Sequence, residues 1–160
     1  PIVEPEVLIN GDHDINKCND VTKMSLDTLF EQLDIHNVFL GGTILKPSMV
    51  ISGDKNSNRA DAPTVAEMTI KRLLDSCPTS LGGIAFLSGG QSDDEATSHL
   101  NIMNTSNKNL PWRVTFSYAR AIQQSALNHW RGKDANMSSA QEILASRAKA
   151  CSDASVGLLS

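Results

Sequence analysis

Gly82-Gly-Ile-Ala-Phe-Leu-Ser-Gly-Gly-Gln-Ser-Asp-Asp-Glu95 holds one complete structural unit. The run from Gly82 to Leu87 is apolar and short, as a strand is. Ser88-Gly89-Gly90 then breaks it, and Ser92 with Glu95 has the spacing of a capping box that opens a helix. The same grammar occurs three more times. Pro1 to Glu6 is followed by the loop Asn10-Gly-Asp-His-Asp14, then by a helical pattern with Ile15, Cys18, Val21, Leu29 and Leu33 on one stripe. Val38 to Leu45 is almost wholly apolar or small, which suits a strand buried on both faces, as in a parallel sheet. The polar loop Ser52 to Asp61 leads to a helix opening near Pro63, with Val65, Met68, Leu73 and Leu74 as its stripe. Val114 to Tyr118 is the fourth strand, followed by a helix from Ala119 or Arg120 to about Trp130 that Gly132 closes. A last helix is expected from Ser139, with Glu142 completing a second capping box.

Strand, loop and helix four times over predicts an α/β fold built of β-α units with right-handed crossovers. Two architectures meet that description: a small open doubly wound sheet, and four consecutive units of an eight-unit barrel. The chain enters at once into Pro1-Ile-Val-Glu4, which favours the barrel and the expectation of a longer parent. A half-barrel alone would also leave two strand edges open, which natural domains avoid.

Composition narrows the functional classes. The 160 residues carry 14 Lys plus Arg against 18 Asp plus Glu, a net charge of −4. That balance argues against general binding of nucleic acid or an anionic membrane, which needs a basic face, and no apolar run reaches the length of a bilayer span. A few local cations and backbone N–H groups can still hold a small phosphorylated substrate. Three widely spaced cysteines, Cys18, Cys77 and Cys151, form neither a disulfide framework nor a CxxC metal pair, so a reducing, intracellular setting is expected.

Ligands in parallel α/β folds sit at the carboxyl ends of the strands. Those ends hold Glu4-Pro-Glu6, Lys46-Pro47, Ser88-Gly89-Gly90 and Ser117-Tyr118-Ala119-Arg120. Lys46 follows an apolar strand. A lysine becomes a nucleophile for Schiff-base chemistry when desolvation or nearby cations favour its neutral amine; the alternative is a strand-end lysine snorkelling to solvent. Glu4 and Glu6 are two apart and so share a face. Such a pair can move the protons that carbinolamine formation and dehydration require, or it can be two solvated carboxylates. Ser88-Gly89-Gly90 before a helix has the form of an anion cradle, though also of a simple turn. Arg120 at the next strand end offers a planar cation for phosphate. Other residues carry less. Asp12-His13-Asp14 lacks further metal ligands at the usual spacing, so no metal is expected. His36, His99 and His129 are scattered. Asn104-Thr-Ser and Asn136-Met-Ser match a glycosylation pattern without a secretory signal.

Taken together, Val3-Glu-Pro-Glu6, Gly11-Asp-His-Asp14, Leu45-Lys-Pro-Ser-Met-Val50, Phe86-Leu-Ser-Gly-Gly-Gln-Ser92 and Phe116-Ser-Tyr-Ala-Arg120 resemble, in order, the motifs of class I fructose-bisphosphate aldolases. Trp130 and Ala140-Gln-Glu142 fit the same family. The resemblance implies a (β/α)8 TIM barrel of which residues 1–160 supply the carboxyl-terminal half, strands five to eight. It implies that Lys46 is the Schiff-base lysine, Glu4 the acid/base carboxylate and Glu6 its companion. Ser88, Gly89, Gly90, Ser117, Tyr118, Ala119 and Arg120 then fall in the segments that hold a substrate phosphate. The implied reaction is reversible cleavage of fructose 1,6-bisphosphate to dihydroxyacetone phosphate and glyceraldehyde 3-phosphate, with no cofactor. A homotetramer and a cytoplasmic or plastid location are implied for the parent. The chain departs from the family pattern at Ala119, where glycine is common, and at Gly41, where an acidic residue is usual. It also lacks the first four strands, with their aspartate and further lysines, and the terminal tyrosine. Two other readings stay open: a non-catalytic or partner-dependent half-barrel, and another Schiff-base barrel aldolase.

Overall fold

The structure, a computed structural model, describes residues 1–159. Four strands alternate with helices: β1 (Ile2–Val3), α1 (Ile15–Ile35), β2 (Ile44–Leu45), α2 (Ala62–Ser76), β3 (Gly83–Phe86), α3 (Asp93–Ser106), β4 (Val114–Phe116), α4 (Arg120–Trp130) and α5 (Met137–Ala154). The sheet order is β1-β2-β3-β4 and every pair is parallel, with Ile2 beside Ile44, Ile44 beside Gly83 and Ile84 beside Val114. This is the α/β arrangement of successive β-α units that the sequence predicts.

Three of the helices begin where a side chain can satisfy the free N–H groups of a first turn. Asp14 accepts from Lys17 N, Asp61 accepts from Thr64 N, and Ser92 with Glu95 forms the full capping box. The predicted second capping box does not form. A 3₁₀ turn at Asp134–Asn136 runs straight into α5 at Met137, so Ser139 is already helical and its hydroxyl donates to Asn136 O. Helix α4 ends on Arg131, with φ 50°, and Gly132 follows with φ 70°.

One face of the sheet is buried beneath the helices. Leu45, Ile84, Phe86 and Val114 are all at most 4% exposed there, packed with Leu26, Leu73, Leu100 and Met103. Each such side chain contributes about 1.5–3 kcal/mol by leaving water, and Phe86→Ala would cost about 3–5 kcal/mol once the cavity is counted. The alternate residues look the other way. Ile2 is 64% exposed, and Ile44, Ala85 and Thr115 are only half-buried. A parallel sheet normally has both faces covered.

The second strand is much shorter than expected. Phe39 is 80% exposed, Leu40–Gly42 is a 3₁₀ turn, and only Ile44–Leu45 pairs. The cause is local. The Phe39 ring lies over Gly41 and Gly42, and Thr43 Oγ1 donates to Phe39 O. Gly82 N donates to both Leu40 O and Thr43 O, closing that corner onto the start of β3. An apolar run therefore does not mean a strand where two glycines let the backbone turn. The helical stripes shift too. Leu26 and Thr22 fill the α1 contact in place of Val21 and Leu33, and Leu74 of α2 is 49% exposed while Ile70 is buried. A stripe read at strict spacing cannot tell which of two adjacent residues faces the sheet.

Candidate active site

Parallel pairing sets the site. Ile44 N donates to Pro1 O and Lys46 N to Val3 O at 2.7 Å, which brings the residues just after β1 and β2 level with each other. Lys46 Nζ lies 2.9 Å from Glu4 Oε1, with the lysine side chain 21% exposed and the glutamate 50%. At that distance a proton can pass directly between amine and carboxylate. So exposed a pair adds little to stability. Its interest lies in placement: an amine and a carboxylate in hydrogen-bond contact at the carboxyl end of a parallel sheet.

Next along the sheet, Leu87 N donates to Pro47 O and Ser117 N to Phe86 O. Between these bonds lies the Ser88-Gly89-Gly90 loop, closed by Gln91 N donating to Ser88 O at 3.2 Å. Gly90 has φ 76°, the left-handed value that the third residue of a type II turn requires. A side chain at Gly89 would sit 2.8 Å from Glu6 Oε1 and 3.6 Å from an Arg120 guanidinium nitrogen. Glu6 and Arg120 thus flank one space over Gly89, and only a glycine leaves it open.

The groups open to an anion differ from the expectation in one respect. The amino terminus of α3 is already satisfied by Ser92 and Glu95, and Asp93, Asp94 and Glu95 make its first turn acidic. It cannot serve as the phosphate cradle. The N–H groups of Ser88, Gly89 and Gly90 in the loop itself have no protein acceptor among the described residues. Neither do those of Tyr118, Ala119 and Arg120. Ala119 is the N-cap of α4 and supplies no side-chain cap, in contrast to Asp14, Asp61 and Ser92. That leaves α4, not α3, with a helix terminus open to an anion, next to the exposed Arg120.

The side chain of Tyr118 is a second correction. It is 7% exposed, and its hydroxyl donates to Ala96 O at 2.9 Å. Burial pushes its phenol far above the ordinary range. It belongs to the core, and only its backbone N–H remains for a ligand. Ser88 is buried and Ser117 exposed at their strand ends. Asp12-His13-Asp14 is a structural loop. Asp14 caps α1, and Asn56 Nδ2 donates to Asp12 O and His13 O. The glycosylation pattern at Asn104 and Asn136 is also spent on structure, since both amides donate to backbone carbonyls.

Four residues near the loop carried no role in the sequence reading. Ile9 covers the side of Gly90 that a Cβ would occupy. Arg59 donates to Gly90 O and pairs with Glu95, both at 3.5 Å. Gln91 Oε1 lies 2.7 Å from Nδ1 of His99, which is 5% exposed. Burial pushes the His99 imidazole below its ordinary range, Glu95 opposing and Arg59 reinforcing. Periodicity places only His99, on the buried stripe of α3 with Ala96, Leu100 and Met103; the contacts of all four with the loop come from distance in the fold.

The family model described as fructose-bisphosphate aldolase class-I matches residues 1–160. The chain is similar to the cytoplasmic isozyme of fructose-bisphosphate aldolase from Spinacia oleracea, 45% identical over 157 residues, covering 98% of this chain and 44% of that one. Against fructose-bisphosphate aldolase B of Gallus gallus it is 48% identical over 149 residues, covering 93% and 41%. Among solved structures, the fructose-bisphosphate aldolase of Plasmodium falciparum, crystallised with TRAP and a small-molecule inhibitor, superposes with a TM-score of 0.95 at 42% identity. That match covers 100% of this chain and 46% of the other. The chain therefore spans less than half the length of the curated relatives it matches.

Proposed function

Since the chain belongs to the class I fructose-bisphosphate aldolase family, we propose that it carries the Schiff-base half of an active site that cleaves fructose 1,6-bisphosphate. The observation that carries this reading is the 2.9 Å contact between Lys46 Nζ and Glu4 Oε1 at the carboxyl end of the sheet. Lys46 adds to the substrate ketone, and Glu4 takes the proton that the amine sheds and returns it to the departing hydroxyl. The resulting iminium draws the electrons of the breaking C3–C4 bond as the C4 hydroxyl gives its proton to a base and becomes the aldehyde of glyceraldehyde 3-phosphate. The enamine left on Lys46 then takes a proton at C3, and water hydrolyses the iminium to release dihydroxyacetone phosphate and the free amine. Glu6 stands across Gly89 from Arg120, as companion to the acid/base group and neighbour of the phosphate cation. The free N–H groups of Ser88, Gly89, Gly90, Tyr118, Ala119 and Arg120 hold one phosphate, with the Arg120 guanidinium beside them and the strand end at Ser117 forming the wall.

A complete eight-stranded barrel is part of the same proposal, with residues 1–160 as its carboxyl-terminal half. Its support is the uncovered sheet face at Ile2, Ile44, Ala85 and Thr115, together with the 44% share of the spinach relative. The matching relatives include cytosolic and cytoplasmic isozymes, which supports a cytoplasmic location. No helix among the described residues is long and apolar enough to cross a membrane. A homotetrameric parent rests on the family resemblance.

Borohydride trapping tests the reaction. The full-length protein incubated with dihydroxyacetone phosphate and borohydride should gain one covalent adduct, at Lys46, and Lys46→Gln should gain none while losing cleavage by about 10⁴-fold or more. An adduct at another lysine, or activity surviving in the variant, would remove Lys46 from the mechanism.

A further inference from the structure

The loop that the proposed function uses as a phosphate cradle is short, glycine-rich and built of backbone alone, so something else must hold its shape. Ser88-Gly89-Gly90 has no side chain larger than a hydroxymethyl group to anchor it. Its position rests on the residue that closes the turn, Gln91, whose N–H returns to Ser88 O. The Gln91 side chain does not go to solvent. It reaches back to α3, where Oε1 meets His99 Nδ1 at 2.7 Å. Among the described residues amide Nε2 is buried without a partner, and the contact to His99 is the one hydrogen bond that fixes this carboxamide.

His99 is well suited to act as an anchor. It sits on the inward stripe of α3 with Ala96, Leu100 and Met103, all buried, and is itself 5% exposed. Since Oε1 can only accept, Nδ1 of the ring is the donor, and the tautomer is thereby fixed. A buried donor on a packed helix gives the turn a rigid reference point. Arg59, from the loop after β2, makes a second and longer tie to Gly90 O. Both ties converge on the last residues of the cradle.

We infer that His99, acting through Gln91, is a positioning residue for the Ser88–Gly90 cradle. It sets the direction of the loop N–H groups without meeting the substrate. This rests on the proposed phosphate role of that loop. Loss of the bond leaves the Gln91 carboxamide with both ends buried and unpaired, so the side chain swings out and the turn loses its fixed geometry.

The test uses the full-length protein and fructose 1,6-bisphosphate. His99→Leu removes the donor. KM should rise about fivefold to tenfold, roughly the factor that one buried hydrogen bond contributes, with kcat within about twofold. Inhibition by inorganic phosphate should weaken by the same factor. His99→Asn can place an amide N–H where Nδ1 lies, and it should restore both values; a merely structural histidine would give no such recovery in KM and phosphate inhibition. If His99→Leu does not fold, Gln91→Met carries the test from the half-buried partner of the pair, with the same KM rise expected. Unchanged KM and phosphate inhibition in a folded His99→Leu or Gln91→Met protein would overturn the inference, as would a fall in kcat alone. A wild-type protein without cleavage activity would instead sink the proposed function, so the two failures are separable.

Discussion

Gly90→Ala puts the geometry of the cradle under a quantitative strain. Gly90 has φ 76°, where an alanine pays for its Cβ by about 1–2 kcal/mol. The added methyl would also land on Cδ1 of Ile9 and 2.9 Å from both its Cβ and Cγ1. The Cδ1 end can rotate away, but Ile9 Cβ is tied to its backbone and cannot. Relief needs a shift of several tenths of an ångström in one of the two loops, an overpacking cost of about 1–3 kcal/mol. The sum is a destabilisation of about 2–5 kcal/mol. Equilibrium denaturation of the full-length wild-type, Gly90→Ala, Ile9→Ala and double-variant proteins measures it. Ile9→Ala removes Cγ1 and Cδ1, so the double variant should recover about 0.5–2 kcal/mol relative to additivity, while the dihedral cost remains. A loss below about 1 kcal/mol for Gly90→Ala, or strict additivity in the cycle, would refute the close approach of the two loops.

Arg120→Ala should raise KM for fructose 1,6-bisphosphate by about 10- to 100-fold, the range of a charge-assisted hydrogen bond, and Arg120→Lys should recover only part because an ammonium lacks the planar fork; steady-state kinetics showing an unchanged KM would exclude Arg120 from the phosphate site. Burial pushes the Cys77 thiol up to about 12 and raises those of Cys18 and Cys151. The folded chain therefore keeps these protons where the unfolded chain, with ordinary thiols near 9, releases them. Their contribution to stability is present below about pH 9 and is lost as pH rises from there to about 12. Denaturation midpoints should fall across that window, and iodoacetamide at pH 8 should label the native thiols far more slowly than the unfolded ones. Midpoints that hold steady from pH 9 to 12 in the wild type, matching those of a Cys77→Ala protein, would contradict the burial argument.

Much of the chemistry is written locally. The apolar strand of Gly82–Leu87, the capping box at Ser92 and Glu95, and the polar strand ends are readable because each depends on residues a few positions apart. Hence the alternation of strands and helices, the parallel sheet and the positions of Glu4, Lys46, Ser88 and Arg120 at its carboxyl end follow from the sequence with little help from distant contacts. Where two glycines met a long-range partner, the local reading failed: Gly41 and Gly42 turn under Phe39 because Gly82 closes on them. Ser139 likewise matched a capping pattern but lay beyond the true start of α5, set by the preceding 3₁₀ turn.

The tertiary structure decided what the strand ends do with one another. It put Glu4 in contact with Lys46 through the register of β1 on β2, committed Tyr118 to the core through Ala96 O, and moved the open helix terminus from α3 to α4. Above all it joined Gln91 to His99 and Ile9 to Gly90. The Glu4, Tyr118 and Ile9 pairings depend on packing one β-α unit against another, and the Gln91–His99 bond on how a turn folds back over its own helix; no spacing along the chain encodes those distances.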